Sequence, residues 1–206
     1  MREAELPGRL RRVAGADVSY DRGSPVLFAA VVVLEPATLE VIETVGVEAR
    51  ARFPYVPGYL SFREIPPLLE VFARLSAPPD LVVCDGQGRA HPRRFGLASH
   101  LGVLLDLPTI GCAKSRLVGE HREPGPRRGA STRLRHEGEV IGTVLRTQDG
   151  VKPVYVSVGH RVTLDAAQRQ VLALAPRHRL PEPVRAAHAE VNRLRRECAG
   201  GAGAGA

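Results

Sequence analysis

Leu81-Val82-Val83-Cys84-Asp85-Gly86-Gln87-Gly88 is the stretch whose reading decides the fold. Four apolar residues run without alternation and are closed by an acid and a Gly-rich turn. A strand buried on both faces reads this way, as parallel strands do. On its N-terminal side Leu68, Leu69, Val71, Phe72 and Leu75 recur at helical spacing, with Pro66 and Pro67 placed in that helix's first turn, where a missing N–H costs little. On its C-terminal side Phe95, Leu97, Ala98, Leu101, Leu104 and Leu105 mark a second helix, and Pro108 stops it before a short strand at 109–113.

Further out, residues 11–19, 26–34 and 39–49 read as three strands. They are separated by the turns Asp21-Arg22-Gly23-Ser24-Pro25 and Glu35-Pro36-Ala37-Thr38, which makes a meander. Toward the C-terminus, residues 122–129 form a basic loop rich in Pro and Gly. Residues 139–146 and 154–162 pair as strands around Gln148-Asp149-Gly150, and helices follow at 164–174 and 184–197. A meander leading into helix–strand crossovers implies an α/β fold, a mixed β-sheet flanked by α-helices. This is the element order of a ribonuclease H-like fold. Residues 1–198 are expected to form one such domain, and the Gly/Ala stretch 199–206 a disordered tail.

Composition narrows the function class. No apolar run approaches the ~20 residues needed to cross a bilayer, and the N-terminus lacks a signal-like apolar region. The three cysteines, Cys84, Cys112 and Cys198, follow neither zinc nor disulfide spacing, so a reducing, cytoplasmic setting is expected. A net charge of +7 favours a polyanionic partner, although GC-rich coding also inflates arginine, and only Lys114 and Lys152 among the 29 basic residues are lysines. Nothing suggests more than a monomer.

Three acids stand in unusual places. Asp17 interrupts an apolar strand, Asp85 ends one, and Glu64 opens the helix after a Pro/Gly loop. A buried carboxylate is costly unless paired, hydrogen-bonded or metal-bound. If the first and fourth strands are neighbours, Asp17 and Asp85 converge into a hard-oxygen site suited to Mg²⁺ or Mn²⁺. Two of them also have a plain structural explanation, an Asx-turn for Asp85 and a capping box with Ser61 for Glu64, whereas Asp17 is the hardest to explain away. His188 falls on the apolar face Val184, Ala187, Val191, Leu194, where a histidine is usually a satisfied core residue. His91 and His100 flank Pro92-Arg93-Arg94-Phe95-Gly96 and could contact phosphate or serve as supports. Lys114 supplies a compact point charge in an Arg-rich chain. Pro54-Tyr55-Val56-Pro57-Gly58-Tyr59 suits base stacking or packing on the domain.

Together these segments resemble the endonuclease V family. The resemblance is carried by Gly15-Ala16-Asp17-Val18-Ser19-Tyr20, the segment from Pro54 to Glu64, the segment from Asp85 to Gly96, Gly111-Cys112-Ala113-Lys114-Ser115, and the segment from Lys152 to His160. It implies a metal-dependent DNA-repair endonuclease that cuts the second phosphodiester 3′ to deoxyinosine. By the same resemblance Asp17 and Asp85 are Mg²⁺ ligands, with Mn²⁺ able to substitute, and Glu64 is a third catalytic acid. Lys114 steadies the scissile phosphate or leaving group, and His188 acts through water or phosphate. Pro54, Tyr55, Val56 and Pro57 form a wedge. Gly58, Leu60, Gly86, Gly88, Gly111, Ala113 and Leu117 line a hypoxanthine pocket, with His91 and Arg93 as phosphate contacts or supports. Small residues suit close approach to a flipped base. The competing readings are an inosine-specific ribonuclease of the same fold and a non-catalytic nucleic-acid-binding module.

Overall fold

The computed structural model describes residues 3–6, 8–21, 23–56 and 58–202, with side chains described to residue 198. Its elements in chain order are β1 (Val13–Ser19), β2 (Val26–Leu34), β3 (Val41–Arg50), α1 (Leu60–Ala73), β4 (Leu81–Cys84), α2 (Leu97–Leu105), β5 (Thr109–Ala113), β6 (Ser131–His136), β7 (Glu139–Leu145), β8 (Val154–His160), α3 (Leu164–Ala173) and α4 (Glu182–Ala202). The strands form one eight-stranded sheet ordered β3-β2-β1-β4-β5-β8-β7-β6. β1, β4 and β5 are parallel to one another, and the remaining pairs are antiparallel. This is the expected ribonuclease H-like mixed sheet.

Both faces are covered. Val13, Leu81, Val83, Ile110 and Cys112 pack under α3 and the start of α4. Ala14, Ala16, Val82 and Cys84 pack under α1 and α2. β2 is apolar throughout because α4 covers one face and α1 the other. Cys84 and Cys112 are buried within the sheet, and Cys198 is exposed. No helix among the described residues is long and apolar enough to cross a membrane.

Several elements depart from the sequence reading. α1 begins at Leu60, so Pro66 and Pro67 lie inside it rather than in its first turn. Their missing N–H groups deprive the carbonyls of Phe62 and Arg63 of helical donors. Tertiary packing outweighs that loss, since Ile65, Pro67, Leu68, Val71 and Phe72 are all buried. Glu64 therefore lies within the first turns of the helix, and Ser61 makes no capping box: its hydroxyl meets His100 Nδ1 at 3.1 Å. β6 has no counterpart in the sequence reading because Ser131-Thr132-Arg133-Leu134-Arg135-His136 is mostly polar and lies at the sheet edge, where only Leu134 is buried. Its hairpin with β7 turns through Glu137 and Gly138, both at positive φ (53° and 81°), as a tight turn matched to strand twist requires. α4 continues to Ala202, four residues into the expected disordered tail. The added residues are Ala199-Gly200-Gly201-Ala202, so the established helix continues although each glycine costs about 1 kcal/mol relative to alanine. Residues 203–206 lie outside the described residues.

Candidate active site

The site begins with strand register. Parallel pairing sets Ala16 beside Cys84, and the Asp85 N–H donates to the Ala16 carbonyl at 3.2 Å. Asp17 and Asp85 thus emerge side by side at the carboxyl ends of two adjacent parallel strands, as the sequence reading required. Gly15 sets the third partner. A Cβ there would come within 1.8 Å of the Pro183 carbonyl oxygen, so only glycine lets the head of α4 lie directly on β1. The helix then delivers His188, whose Nδ1 meets Asp17 Oδ2 at 2.8 Å. The histidine is half exposed and belongs to the site, which corrects its placement on the apolar face with Val184, Ala187 and Val191.

Ligand atoms of Asp17, Asp85 and His188 all lie within 4.8 Å of one another. Lys114, just past β5, places Nζ 2.5 Å from Asp85 Oδ2. Glu64 comes from α1 and is buried, with no hydrogen-bond partner for its carboxyl among the described residues. Burial first, and then the charges of Asp17 and Asp85, push its pKa up to about 8. Burial and Asp85 likewise raise the Asp17 carboxyl, against the opposing effects of His188 and the Val18 N–H. Three mutually repelling carboxyl groups share one corner, with one ammonium and one imidazole to balance them. The surplus of hard oxygen donors fits a divalent cation such as Mg²⁺ or Mn²⁺.

These groups line a cavity of about 580 Å³, together with Tyr55, Gly58, Leu60, Gly86, Gln87, His91, Ala113 and Leu117. Gly88 and Gly111, expected in the same pocket, do not line it. A Cβ on Gly88 would strike the Val158 carbonyl at 2.2 Å, and one on Gly111 would strike the Gly88 nitrogen at 2.3 Å. Both glycines serve the close packing of the Asp85 loop onto β5 and β8, one layer beneath the cavity.

Of the four expected wedge residues, Tyr55 lines the cavity and leaves 61% of its surface exposed, and Val56 accepts the Tyr59 N–H. Pro54 is exposed, and Pro57 lies outside the described residues. His91 is buried and accepts the Arg93 N–H at Nδ1, 3.2 Å away. Burial and then Arg93 push its pKa down, so the ring stays neutral with its proton on Nε2. Arg93 acts as a support: its guanidinium donates to the Gly58 carbonyl at 3.0 Å and lies 4.0 Å over the Tyr59 ring.

Three further residues escaped the sequence reading. Arg63 is buried and donates to the carbonyls of Phe53 (2.9 Å) and Ser24 (2.8 Å), holding the other end of the aromatic loop. Gln87 Nε2 bridges to the Ser115 carbonyl at 3.0 Å. Arg179 donates to the carbonyls of Lys114 (2.6 Å) and Pro153 (2.8 Å). All three bond to backbone carbonyls of distant loops, which no side-chain pattern encodes. For Arg63 and Gln87 the available signal was their position inside strings already singled out, whereas Arg179 lies in none of them.

A mixed sheet with carboxylates at the ends of two neighbouring parallel strands defines the ribonuclease H-like class, whose folds host many activities. The endonuclease V family model matches residues 1–189. An endonuclease V from Roseiflexus sp. (strain RS-1) is 57% identical over 182 residues, covering 88% of this chain and 81% of the relative. The crystal structure of endonuclease V from Streptomyces avermitilis superposes with a TM-score of 0.90 at 50% identity, over 96% of this chain and 86% of that one. Endonuclease V from Ciona intestinalis, solved in complex with a 24mer DNA containing an inosine followed by a ribo-adenosine, has a TM-score of 0.83 at 27% identity, over 95% and 92% of the two chains. The chain belongs to the endonuclease V family and is a nuclease.

Proposed function

We propose that this nuclease is a DNA-repair enzyme that recognises deoxyinosine and hydrolyses the second phosphodiester on its 3′ side, with Mg²⁺ as its cofactor. The observation that carries this reading is the convergence of Asp17, Asp85 and His188 in a cavity large enough for a flipped base, beside an exposed tyrosine.

Asp17 and Asp85 would hold the cation, and His188 fixes the orientation of the Asp17 carboxylate. A cation held there would supply Lewis-acid chemistry to the phosphodiester. Lys114 brings a second positive charge to the same phosphate. Glu64, whose pKa burial raises to about 8, would accept the proton of the attacking water in its ionised form. Tyr55 fills the space left in the stack, while Gly58, Leu60, Gly86, Ala113 and Leu117 accept the flipped base. Backbone donors along these small residues favour the carbonyl of hypoxanthine over the amine of adenine. Arg63 and Arg93 anchor the Phe53 and Gly58 carbonyls on either side of the tyrosine, which lowers the ordering cost of meeting DNA.

The test is a nicking assay on matched duplexes with and without one deoxyinosine, in Mg²⁺ and in EDTA. The expected product is a Mg²⁺-dependent nick displaced to the 3′ side of the lesion, with a 3′-hydroxyl and a 5′-phosphate. Cleavage confined to inosine-containing RNA would transfer the same chemistry to an RNA substrate, a reading favoured by the ribo-adenosine in the ligand of the Ciona relative. No cleavage of either would leave a binding module.

A further inference from the structure

Residues 122–129, a basic loop to which the reaction assigns no role, are built into a block. Arg146 is buried and gathers them inward. Its Nε donates to the Gly125 carbonyl at 2.9 Å, and its Nη2 donates to Glu123 at 2.8 Å and to the Pro124 carbonyl at 2.9 Å. Its Nη1 donates to the Val151 carbonyl. The Gly150 N–H donates to the Pro126 carbonyl at 2.8 Å, and the Arg128 N–H donates to Asp149 at 2.5 Å. The loop and the turn before β8 are therefore one rigid unit.

Arg179 ties that unit to the active site. One of its nitrogens donates to both Pro153 and Lys114, and its own carbonyl accepts the Thr147 hydroxyl at 2.6 Å. Two guanidinium groups thus take up inward-facing carbonyls along a path from Lys114 to the loop. The acids on this path are engaged, Glu123 by Arg146 and Asp149 by the Arg128 N–H. Arg116, which lines the cavity, and Lys152 and Arg127 on the block have exposed side chains with no carboxylate partner among the described residues.

We propose that this block is a phosphate-binding shelf for the nucleic-acid strand outside the cavity, with Arg116, Lys152 and Arg127 neutralising successive backbone phosphates. This rests on the reading of the cavity as the nuclease centre. Contacts of this kind carry no sequence information. They set register and affinity, and they show in the salt dependence of binding. A pre-ordered shelf loses less entropy on binding than a flexible arm.

The experiment measures equilibrium binding of a deoxyinosine duplex in EDTA across a KCl series for the full chain. Lys152→Ala and Arg127→Ala should each reduce the slope of log K against log [KCl] by about 0.9, the double variant should lose about twice that, and an undamaged duplex should show the same losses. Single-turnover nicking at saturating enzyme should stay within about twofold of wild type, because neither residue lines the cavity. Arg11→Ala is the control, since Arg11 is exposed before β1, at the end of the strand away from Asp17. Unchanged slopes for the Lys152 and Arg127 variants, or an equal loss for Arg11→Ala, would overturn the shelf. Intact binding with the expected slopes, but no nicking by the wild type, would overturn the nuclease reading and leave the shelf standing.

Discussion

Two buried charged side chains, Glu64 and Arg146, show how differently two regions of one molecule treat ionisable groups. They are almost equally enclosed, at 7% and 8% exposure. Arg146 spends its donors on three carbonyls and a carboxylate, and the loop around it is fixed. Glu64 finds no donor and faces two further carboxylates, and its pKa climbs to about 8. A buried charge whose bonds are complete stabilises structure, whereas one left uncompensated stores the reactivity that a substrate or cation later uses.

The comparison breaks most visibly at Asp85. Asp85→Ala should lower single-turnover nicking by about 1,000-fold or more, while lesion binding at low salt persists. Near-normal nicking would move the metal site elsewhere. Next comes the satisfied region: Arg146→Met should cost about 2–4 kcal/mol in urea denaturation, because several enclosed carbonyls lose their donor at once. At saturating enzyme its nicking rate should change by less than about threefold. A large rate loss without a stability loss would put Arg146 in the chemistry instead.

Tyr55→Ala should weaken lesion binding by roughly tenfold, the worth of a stacked ring, and leave the melting temperature nearly unchanged because the side chain is exposed. A clear drop in melting temperature would make the loop part of the core. The comparison also shows in the pH dependence of stability. The folded chain holds a proton on Glu64 that the unfolded chain, with an ordinary value of 4.5, releases well below pH 8. Stability in EDTA should therefore fall as pH rises from about 5 to about 8, and Glu64→Gln should flatten that slope while reducing nicking. Saturating Mg²⁺ should also flatten it. A slope that survives Glu64→Gln would assign the proton to another group.

The sheet was largely legible because its signals are local: apolar runs, turn residues, and an acid at the end of β4. Asp17 and Asp85 could be paired as soon as β1 and β4 were taken as neighbours. His188 could not be placed this way, since it lies 171 residues from Asp17 and its own helix reads as apolar on the adjacent face. The start of α1 was obscured by Pro66 and Pro67, whose helix-breaking tendency is overruled by burial. The roles of Gly88 and Gly111 were misplaced because a glycine in sequence does not say whether a ligand or another backbone takes the space.

The contact between Gly15 and Pro183 has a consequence for how this enzyme tolerates change. The alignment of imidazole and carboxylate is set by a missing methyl group, a spacer of zero thickness between a strand near one terminus and a helix near the other. Gly15→Ala would alter no reactive group, yet it would lift the head of α4 and carry His188 with it. A search for reactive side chains passes over this position, although a change there would disable the catalyst by geometry alone.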